Sequence, residues 1–257
     1  MPDYSYVDQP QVLQYLFYPR YDASENPPGS YDHFVEVGDN VRVACRFYLA
    51  DPDWPWMLYF HGNGEVASDY DQIALFYQFC RVNLAVADYR GYGLSQGRPT
   101  VAALISDAEK VWTEVNRYVK ESYAQAVSWV MGRSMGSIAA LHLAYRFPQE
   151  MQGFIIESGF ACVTRLITHL GIMAPNPQLK SIEAECLEMI KQIEVPALIL
   201  HGDRDTLVPW SEGKLVYDTL GSADKQMLAI PGASHNDIIF CDMPRYFGAI
   251  EQFVNKC

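Results

Sequence analysis

The sequence lacks the features that are typical of membrane-spanning and secreted proteins. No stretch approaches the roughly 18 uninterrupted apolar residues that suggest a membrane span, and the first eight residues show neither a basic start nor an apolar run. None of the six cysteines forms a Cys-x-x-Cys pair. Cysteines scattered in this way over 257 residues are more typical of free thiols than of a disulfide framework. We therefore expect a cytoplasmic protein without an integral membrane segment.

Positive charge is also scarce. The chain has 19 Lys and Arg against 31 Asp and Glu, which gives a formal net charge of −12. Such a chain repels phosphate backbones, so we expect no nucleic-acid partner. The sequence has no metal-binding His-Glu-x-x-His spacing and no Walker loop, and the glycines of 91–97 lack the spacing of a dinucleotide-binding loop. We therefore expect neither a metal nor an organic cofactor.

The hydrophobic pattern predicts an α/β fold in a single domain. Hydrophobic residues make up 49% of the sequence, which is enough for a substantial core. Residues 1–32 are predicted to be an irregular lead-in, and a hairpin with its turn at 38–40 follows. Repeated strand–helix units then predict a mainly parallel sheet with helices on both faces. The eight predicted strands cover residues 33–37, 41–49, 56–60, 84–88, 127–131, 153–157, 196–200 and 227–230.

In a sheet of this kind, chemistry is expected at the carboxyl ends of the strands, because the loops converge there. The strand predicted at 127–131 runs into Gly-Arg-Ser-Met-Gly at 132–136, and a helix follows at once. In this Gly-x-Ser-x-Gly turn the glycines relieve crowding and leave the hydroxyl of Ser134 exposed. The helix N-terminus adds free N–H groups. We predict that Ser134 is a nucleophile; a glycine-flanked helix cap is the alternative.

A second loop is predicted to face this serine. The strand at 56–60 is followed by His-Gly-Asn-Gly-Glu at 61–65. A glycine-bearing loop in this position brings a backbone N–H towards the hydroxyl. We predict that the backbone N–H groups of Asn63 and Met135 form an oxyanion hole. An ordinary tight turn would explain the same glycines.

An acid and a base follow later in the chain. Asp203 and Asp205 come directly after the strand at 196–200, and His235 lies in the loop before the closing helix. The order Ser, Asp, His is typical of hydrolases with this turn. An acid in this position orients the histidine and stabilises its cationic form. Glu157, which ends the strand at 153–157, keeps the same order and is the alternative acid.

With these motifs in order, the sequence resembles the α/β-hydrolase fold family of serine hydrolases over nearly its whole length. It looks most like the small-capped branch that includes lipid-ester hydrolases and protein depalmitoylases. The resemblance implies Asp205 rather than Asp203 as the acid, and a small helical cap at about 160–192. The motifs that carry it are 61–65, Asp-Tyr-Arg-Gly-Tyr-Gly-Leu-Ser at 88–95, 132–136, His-Gly-x-x-Asp with Val-Pro at 201–209, and Ser-His-Asn-Asp at 234–237.

The apolar side chains of this cap have two interpretations: they form an acyl pocket, or they pack the cap onto the body. They are Leu166, Ile167, Leu170, Ile172, Met173, Leu187, Met189 and Ile190.

The residue before the nucleophile is unusual for the family. It is Arg133, at a position where His or Gln would be unremarkable. Because Glu65 lies in the facing loop, we predict an ion pair between Glu65 and Arg133 that braces the oxyanion region.

The sequence as a whole predicts a serine hydrolase that cleaves a carboxylic ester or thioester through an acyl-enzyme. The net charge of −12 favours neutral acyl esters over anionic substrates. Two alternatives are a serine peptidase or amidase with the same triad, and a catalytically idle scaffold that binds a partner.

Overall fold

The computed structural model describes residues 2–38 and 40–256. Within them, the strands are β1 (Ser30–Gly38), β2 (Val41–Tyr48), β3 (Trp56–Phe60), β4 (Asn83–Ala87), β5 (Val127–Arg133), β6 (Gly153–Glu157), β7 (Ala197–Gly202) and β8 (Lys225–Ile230). They form one sheet in the order β1-β2-β4-β3-β5-β6-β7-β8. Strand β2 is antiparallel to both of its neighbours, and the other pairs are parallel. The predicted α/β fold with a mainly parallel sheet of eight strands is confirmed.

Helices cover both faces of this sheet, as predicted. In the described part of the chain they are α1 (Pro10–Leu16), α2 (Ala74–Phe79), α3 (Val101–Tyr123), α4 (Ser137–Arg146), α5 (Val163–His169), α6 (Pro177–Lys191), α7 (Trp210–Thr219), α8 (Ile238–Cys241) and α9 (Met243–Val254). Helices α1, α3, α4 and α6 pack on one face, and α2 and α9 on the other. None of the described helices is long and apolar enough to cross a membrane.

The inner strands are apolar on both sides because both faces of the sheet are covered. In β3, Trp56 and Phe60 belong to the core under α3 and α4, whereas Met57 and Tyr59 belong to the core under α2 and α9. Side chains alternate between the faces along a strand, so a strand that is buried on both sides needs a continuous apolar run. This arrangement places the carboxyl ends of β3, β5, β6, β7 and β8 along one edge.

The lead-in is more ordered than predicted. A 3₁₀ helix at Tyr4–Tyr6 precedes α1, and Pro10 begins α1 in the first turn, where its missing N–H leaves no hydrogen bond unmade. Val12 and Leu16, one turn apart, are buried against the body. The prediction of an irregular segment is therefore wrong for α1. A seven-residue helix has little stability of its own and depends on this packing, which periodicity alone does not reveal.

Two other elements differ in detail from their predictions. The helix predicted at 69–79 is split into a 3₁₀ turn at Ala67–Tyr70 and the short helix α2. The predicted hairpin turn at 38–40 includes Asp39, which lies outside the described residues. Its neighbours Gly38 and Asn40 have φ of +93° and +57°, in the left-handed region that tight hairpin turns require.

The segment predicted to form a cap, about 160–192, contains α5 and α6. Leu166, Leu170 and Ile172 line the cavity at the site described below. By contrast, Ile167 and Ile190 are completely buried in the main core. The apolar residues of the set therefore divide between lining this cavity and packing the segment onto the body.

Candidate active site

The turn between β5 and α4 holds Ser134, which is buried, in a constrained backbone conformation. Ser134 has φ of +50°, a value that non-glycine residues adopt rarely and at an energetic cost. A Cβ atom at Gly136 would collide with the carbonyl of Phe60, and one at Gly132 would collide with the carbonyl of Gly136. The two glycines of the motif are therefore required by close backbone packing, and this packing holds the serine at the tip.

A chain of hydrogen bonds connects three of the predicted residues. The Ser134 Oγ lies 3.0 Å from His235 Nε2, and His235 Nδ1 lies 2.7 Å from Asp205 Oδ2. The other carboxylate oxygen of Asp205 accepts the backbone N–H groups of Leu207 at 3.0 Å and Val208 at 2.8 Å. Because a carboxylate only accepts, the Nδ1 of His235 carries the proton and Nε2 is free to accept from Ser134.

Glu157 is not part of this chain. Its carboxylate pairs with Arg133 Nε at 3.0 Å and accepts the hydroxyls of Tyr246 at 2.6 Å and Tyr59 at 3.3 Å. These partners occupy the carboxylate, which does not hydrogen-bond the imidazole of His235. The alternative prediction of Glu157 as the histidine's acid therefore does not fit the geometry.

The turn around Asp205 holds two further polar side chains. Asp203 is exposed and accepts the backbone N–H of Gly232 at 2.7 Å, so it is not the partner of the histidine. His201 is completely buried; its Nε2 donates to the carbonyl of Val208 at 2.8 Å and lies 3.6 Å from Asp205 Oδ2. Burial lowers the pKa of His201, which favours the neutral ring. His201 belongs to the His-Gly-x-x-Asp motif, but the motif alone does not predict its contact with the turn around Asp205.

Arg133 connects the loops on either side of the serine. Its Nη1 lies 2.5 Å from Glu65 Oε1, which confirms the predicted ion pair. Glu65 in turn accepts the backbone N–H of Gly62 at 2.7 Å. The Nη2 of Arg133 donates to the carbonyl of His235 at 2.9 Å and to Asn236 Oδ1 at 3.2 Å. One buried side chain thus holds the loop after β3 and the loop that carries the histidine.

The two carboxyls on this arginine respond to it differently. Burial raises the pKa of Glu65, but the Arg133 charge and the hydrogen bonds from Tyr70 and Gly62 outweigh it, so the pKa lies below its ordinary value. Burial of Glu157 is complete and outweighs the same charge, so its pKa lies above the ordinary value. Of the two carboxyls beside Arg133, Glu65 therefore stays ionised to lower pH than Glu157.

The predicted oxyanion residues lie beside the serine. Asn63 and Met135 both line the cavity that contains Ser134. The side chain of Asn63 accepts the backbone N–H of Tyr18 at 3.0 Å and donates to the carbonyl of Leu16 at 2.8 Å. Among the described residues, no hydrogen bond occupies the backbone N–H of Asn63. This N–H is therefore available to a ligand.

The cavity at Ser134 has a volume of about 470 Å³ and mostly apolar walls. One wall comes from residues 15–18 of the lead-in. No role at the site was predicted for these residues. No sequence motif predicts this wall, because it depends on the tertiary packing of α1. The apolar lining is Leu16, Phe17, Val101, Met135, Ile138, Phe160, Val163, Leu166, Leu170, Ile172, Leu207 and Val208.

The arrangement can move a proton from a hydroxyl to an imidazole that a carboxylate orients. Such a hydroxyl becomes a nucleophile towards a carbonyl held in the cavity. Among the described residues, no cluster of three or more His, Cys, Asp or Glu side chains could hold a metal ion.

Comparison with known proteins shows the family of the chain. A family model described as Hydrolase_4, serine aminopeptidase, S33, matches residues 55–173 and 177–239, which is more than half of the chain. The chain belongs to this α/β-hydrolase family. The resemblance found in the sequence is thereby confirmed, and the chain is a hydrolase by family.

Individual proteins similar to this α/β-hydrolase share less than a third of their residues with it. Protein bem46 of Schizosaccharomyces pombe is 28% identical over 229 residues, which cover 86% of this chain and 75% of that protein. Alpha/beta hydrolase domain-containing protein 17B of Homo sapiens is 27% identical, over 84% of this chain and 72% of its own length. The Pyrococcus furiosus esterase Pf2001 superposes with a TM-score of 0.74 and 19% identity, covering 93% of this chain and 98% of that one. At this identity the superposition shows the shared fold.

Proposed function

We propose that this α/β-hydrolase cleaves carboxylic esters or thioesters through an acyl-enzyme. The observation that carries the proposal is the hydrogen-bonded chain from Ser134 through His235 to Asp205. In this mechanism His235 takes the proton of Ser134 as the hydroxyl attacks the carbonyl, and Asp205 stabilises the resulting imidazolium. His235 then donates that proton to the leaving group. Water repeats the attack with His235 as the base.

The developing oxyanion would be received by the backbone N–H groups of Asn63 and Met135. Both residues line the cavity with Ser134, and the side chain of Asn63 is held by hydrogen bonds on both of its polar atoms. Donors held in place before the reaction need no reorganisation as charge develops. Each contributes about 3 kcal/mol to lowering the barrier in comparable enzymes.

The walls of the cavity favour a neutral acyl group in the substrate. Apolar side chains from α1, α4 and α5 surround the serine, and burying an acyl chain against them is favourable. The net charge of −12 gives no long-range attraction to anionic substrates.

A serine aminopeptidase is the second candidate, because the matching family model carries that description. An aminopeptidase must bind the charged α-amine of its substrate, which calls for a carboxylate in the site. The described residues that line the cavity include Arg133 and His235 but no Asp or Glu. This composition favours the esterase over the aminopeptidase.

The decisive experiment measures covalent labelling and turnover together. We expect a fluorophosphonate to label the protein stoichiometrically and p-nitrophenyl esters to be hydrolysed, with both activities lost in Ser134→Ala. The matched control is Ser128→Ala in β5, which should keep both because Ser128 does not line the cavity. Full esterase activity in Ser134→Ala would falsify the assignment.

The same preparation separates the other candidates. Hydrolysis of aminoacyl-amide substrates at rates above those of esters would favour the aminopeptidase. A folded protein that neither labels nor turns over any substrate would favour a scaffold that binds a partner.

We also propose a cytoplasmic location. Its support is the set of free thiols among the described residues, including Cys45, Cys80 and the exposed Cys241, since oxidising compartments favour disulfides. Cell fractionation of the native protein tests it, and recovery in the secreted fraction would overturn it.

A further inference from the structure

A second cavity, of about 670 Å³, is lined by α3, α4, α6 and residues 2–4. One face of α3 lines it, through Ala102, Ile105, Ser106 and Glu109 and on to Glu114. At 1.5 Å per residue, this stretch of helix is about 18 Å long. We call this second cavity the distal groove. One of its walls is thus an elongated helix face.

Only two residues line both cavities, among those that the structure describes. They are Ile138 and Val163. Ile138 is the second residue of α4, four positions after Ser134, and Val163 is the first residue of α5. Their exposed fractions are 8% and 1%, so both side chains are buried. β-branched side chains in helices hold one preferred rotamer, so these two side chains, which we call the partition, have little freedom to move aside.

The groove offers apolar surface next to this partition. Leu141 follows Ile138 by one helical turn on α4 and lines the groove. Farther along, the acidic Glu109 is already engaged by His142 at 2.7 Å and Arg146 at 3.1 Å. Because the protein's own basic groups engage this acid, the groove near the partition presents mainly hydrocarbon to a ligand.

We propose that Ile138 and Val163 set the upper limit on the length of the acyl chain accepted at Ser134. A chain that fills the active-site cavity ends against the partition, and further methylenes find no apolar surface. Shortening Ile138 joins the cavity to the distal groove, so longer chains gain contacts there. Each methylene that becomes buried strengthens binding about fourfold. This inference rests on the proposed function and names the specificity determinant of that site.

The first test is a chain-length series of p-nitrophenyl esters from butyrate to palmitate. In the wild type, kcat/KM should rise with length and then fall. In Ile138→Ala the maximum should move to longer chains, with the palmitate-to-butyrate ratio of kcat/KM raised about tenfold or more. The ratio is taken within one preparation, so the folded fraction cancels. Ile138→Val and Val163→Ala are milder variants and should shift the ratio in the same direction.

The matched control is Ile105→Ala. Ile105 is an isoleucine with the same 8% exposure, and it lines the distal groove alone. Its truncation enlarges the groove without opening the partition. We therefore expect the chain-length profile of Ile105→Ala to match that of the wild type.

The second test locates the chain directly. An alkyl fluorophosphonate forms a bond from phosphorus to Ser134 Oγ with loss of fluoride, which leaves the alkyl chain in the site. With Ser106→Cys as a reporter in the groove, a hexadecyl phosphonate should slow maleimide labelling of residue 106 in the Ile138→Ala background only. A butyl phosphonate should not slow it in either background. Lys120→Cys, on α3 outside the groove, should label equally in all four states by peptide mass spectrometry.

The outcomes separate the two proposals. If Ser134 reacts with neither phosphonate and no ester is hydrolysed, the proposed function fails and this inference fails with it. If Ser134 reacts but the partition variants keep the wild-type chain-length profile, only the partition is overturned. Protection of residue 106 by the long chain in the wild type would also overturn it, because the chain would then pass a closed partition.

Discussion

Asp205 and Glu157 are buried carboxyls at the ends of neighbouring strands, yet they have different partners. Asp205 follows β7 and has one oxygen on two backbone N–H groups and the other on the imidazole of His235. Glu157 ends β6 and is engaged by Arg133 and two tyrosine hydroxyls. Position at the sheet edge therefore does not distinguish them. What distinguishes them is whether a neighbour already occupies the carboxylate.

The pairing of strands explains which neighbour that is. In the parallel register of β5 and β6, Arg133 lies opposite Glu157. A buried carboxylate directly across from a buried guanidinium forms an ion pair, since leaving either group unpaired is costly. Arg133, the residue before the nucleophile, therefore binds Glu157 in an ion pair that supports the site. Glu157 does not hydrogen-bond the imidazole of His235.

The largest effect should come from Asp205→Asn. The amide cannot accept the Nδ1 proton as a carboxylate does, so the imidazole adopts the wrong tautomer and kcat for ester hydrolysis should fall about 10⁴-fold. Asp203→Asn, two residues away and exposed, is the control and should change kcat little. Activity near the wild-type level in Asp205→Asn would reverse the assignment of the acid.

Arg133→Met should have the next largest effect, on stability. It leaves Glu65 and Glu157 without their cation, and breaking a buried ion pair in this way costs about 3–5 kcal/mol in the free energy of unfolding. Urea denaturation measures this loss. Arg117→Met removes an arginine that also pairs with two carboxylates, Glu114 and Glu121, but at the surface. Its urea midpoint should hardly move, and equal losses in both variants would contradict a bracing role for Arg133.

Glu157→Gln sharpens the comparison with Asp205 most directly. The substitution weakens the hydrogen bonds to Arg133, Tyr246 and Tyr59, so the free energy of unfolding should fall by about 1–3 kcal/mol. Because Glu157 does not contact the imidazole, kcat should fall less than about tenfold. Kinetics and urea denaturation on the same preparation measure both effects. A loss of kcat comparable to that of Asp205→Asn would show that the two carboxyls act as one unit.

Much of the fold and site was predictable because the signals are local. The apolar run at 56–60 and the glycines around Ser134 each reflect a requirement of their own segment, namely burial on two faces and a crowded turn. The order of a serine, an acid and a histidine predicted the kind of site, and the family resemblance implied Asp205 as the acid. By contrast, Glu157 remained an open alternative because its partner is set by the register between strands. The wall of the cavity at 15–18 was not predicted, because α1 is too short to show a helical pattern in the sequence.

The smallest expected effect concerns Glu65, the other carboxylate on Arg133. Its pKa lies below the ordinary value of 4.5, so its ionised form stabilises the folded state. This contribution is complete above the ordinary pKa and is lost as the pH falls through the lower folded value. The melting temperature of Glu65→Gln should therefore lie below that of the wild type at pH 7, and the difference should shrink below pH 4.5.

Thermal denaturation between pH 7 and pH 3 measures this difference. Glu185→Gln, an exposed residue of α6, controls for the loss of one negative charge. Subtracting its curve leaves the contacts of Glu65 with Arg133, Gly62 and Tyr70. A difference that widens as the pH falls would mean that Glu65 is protonated in the folded state. Arg133 would then be paired with Glu157 as its only charged carboxylate.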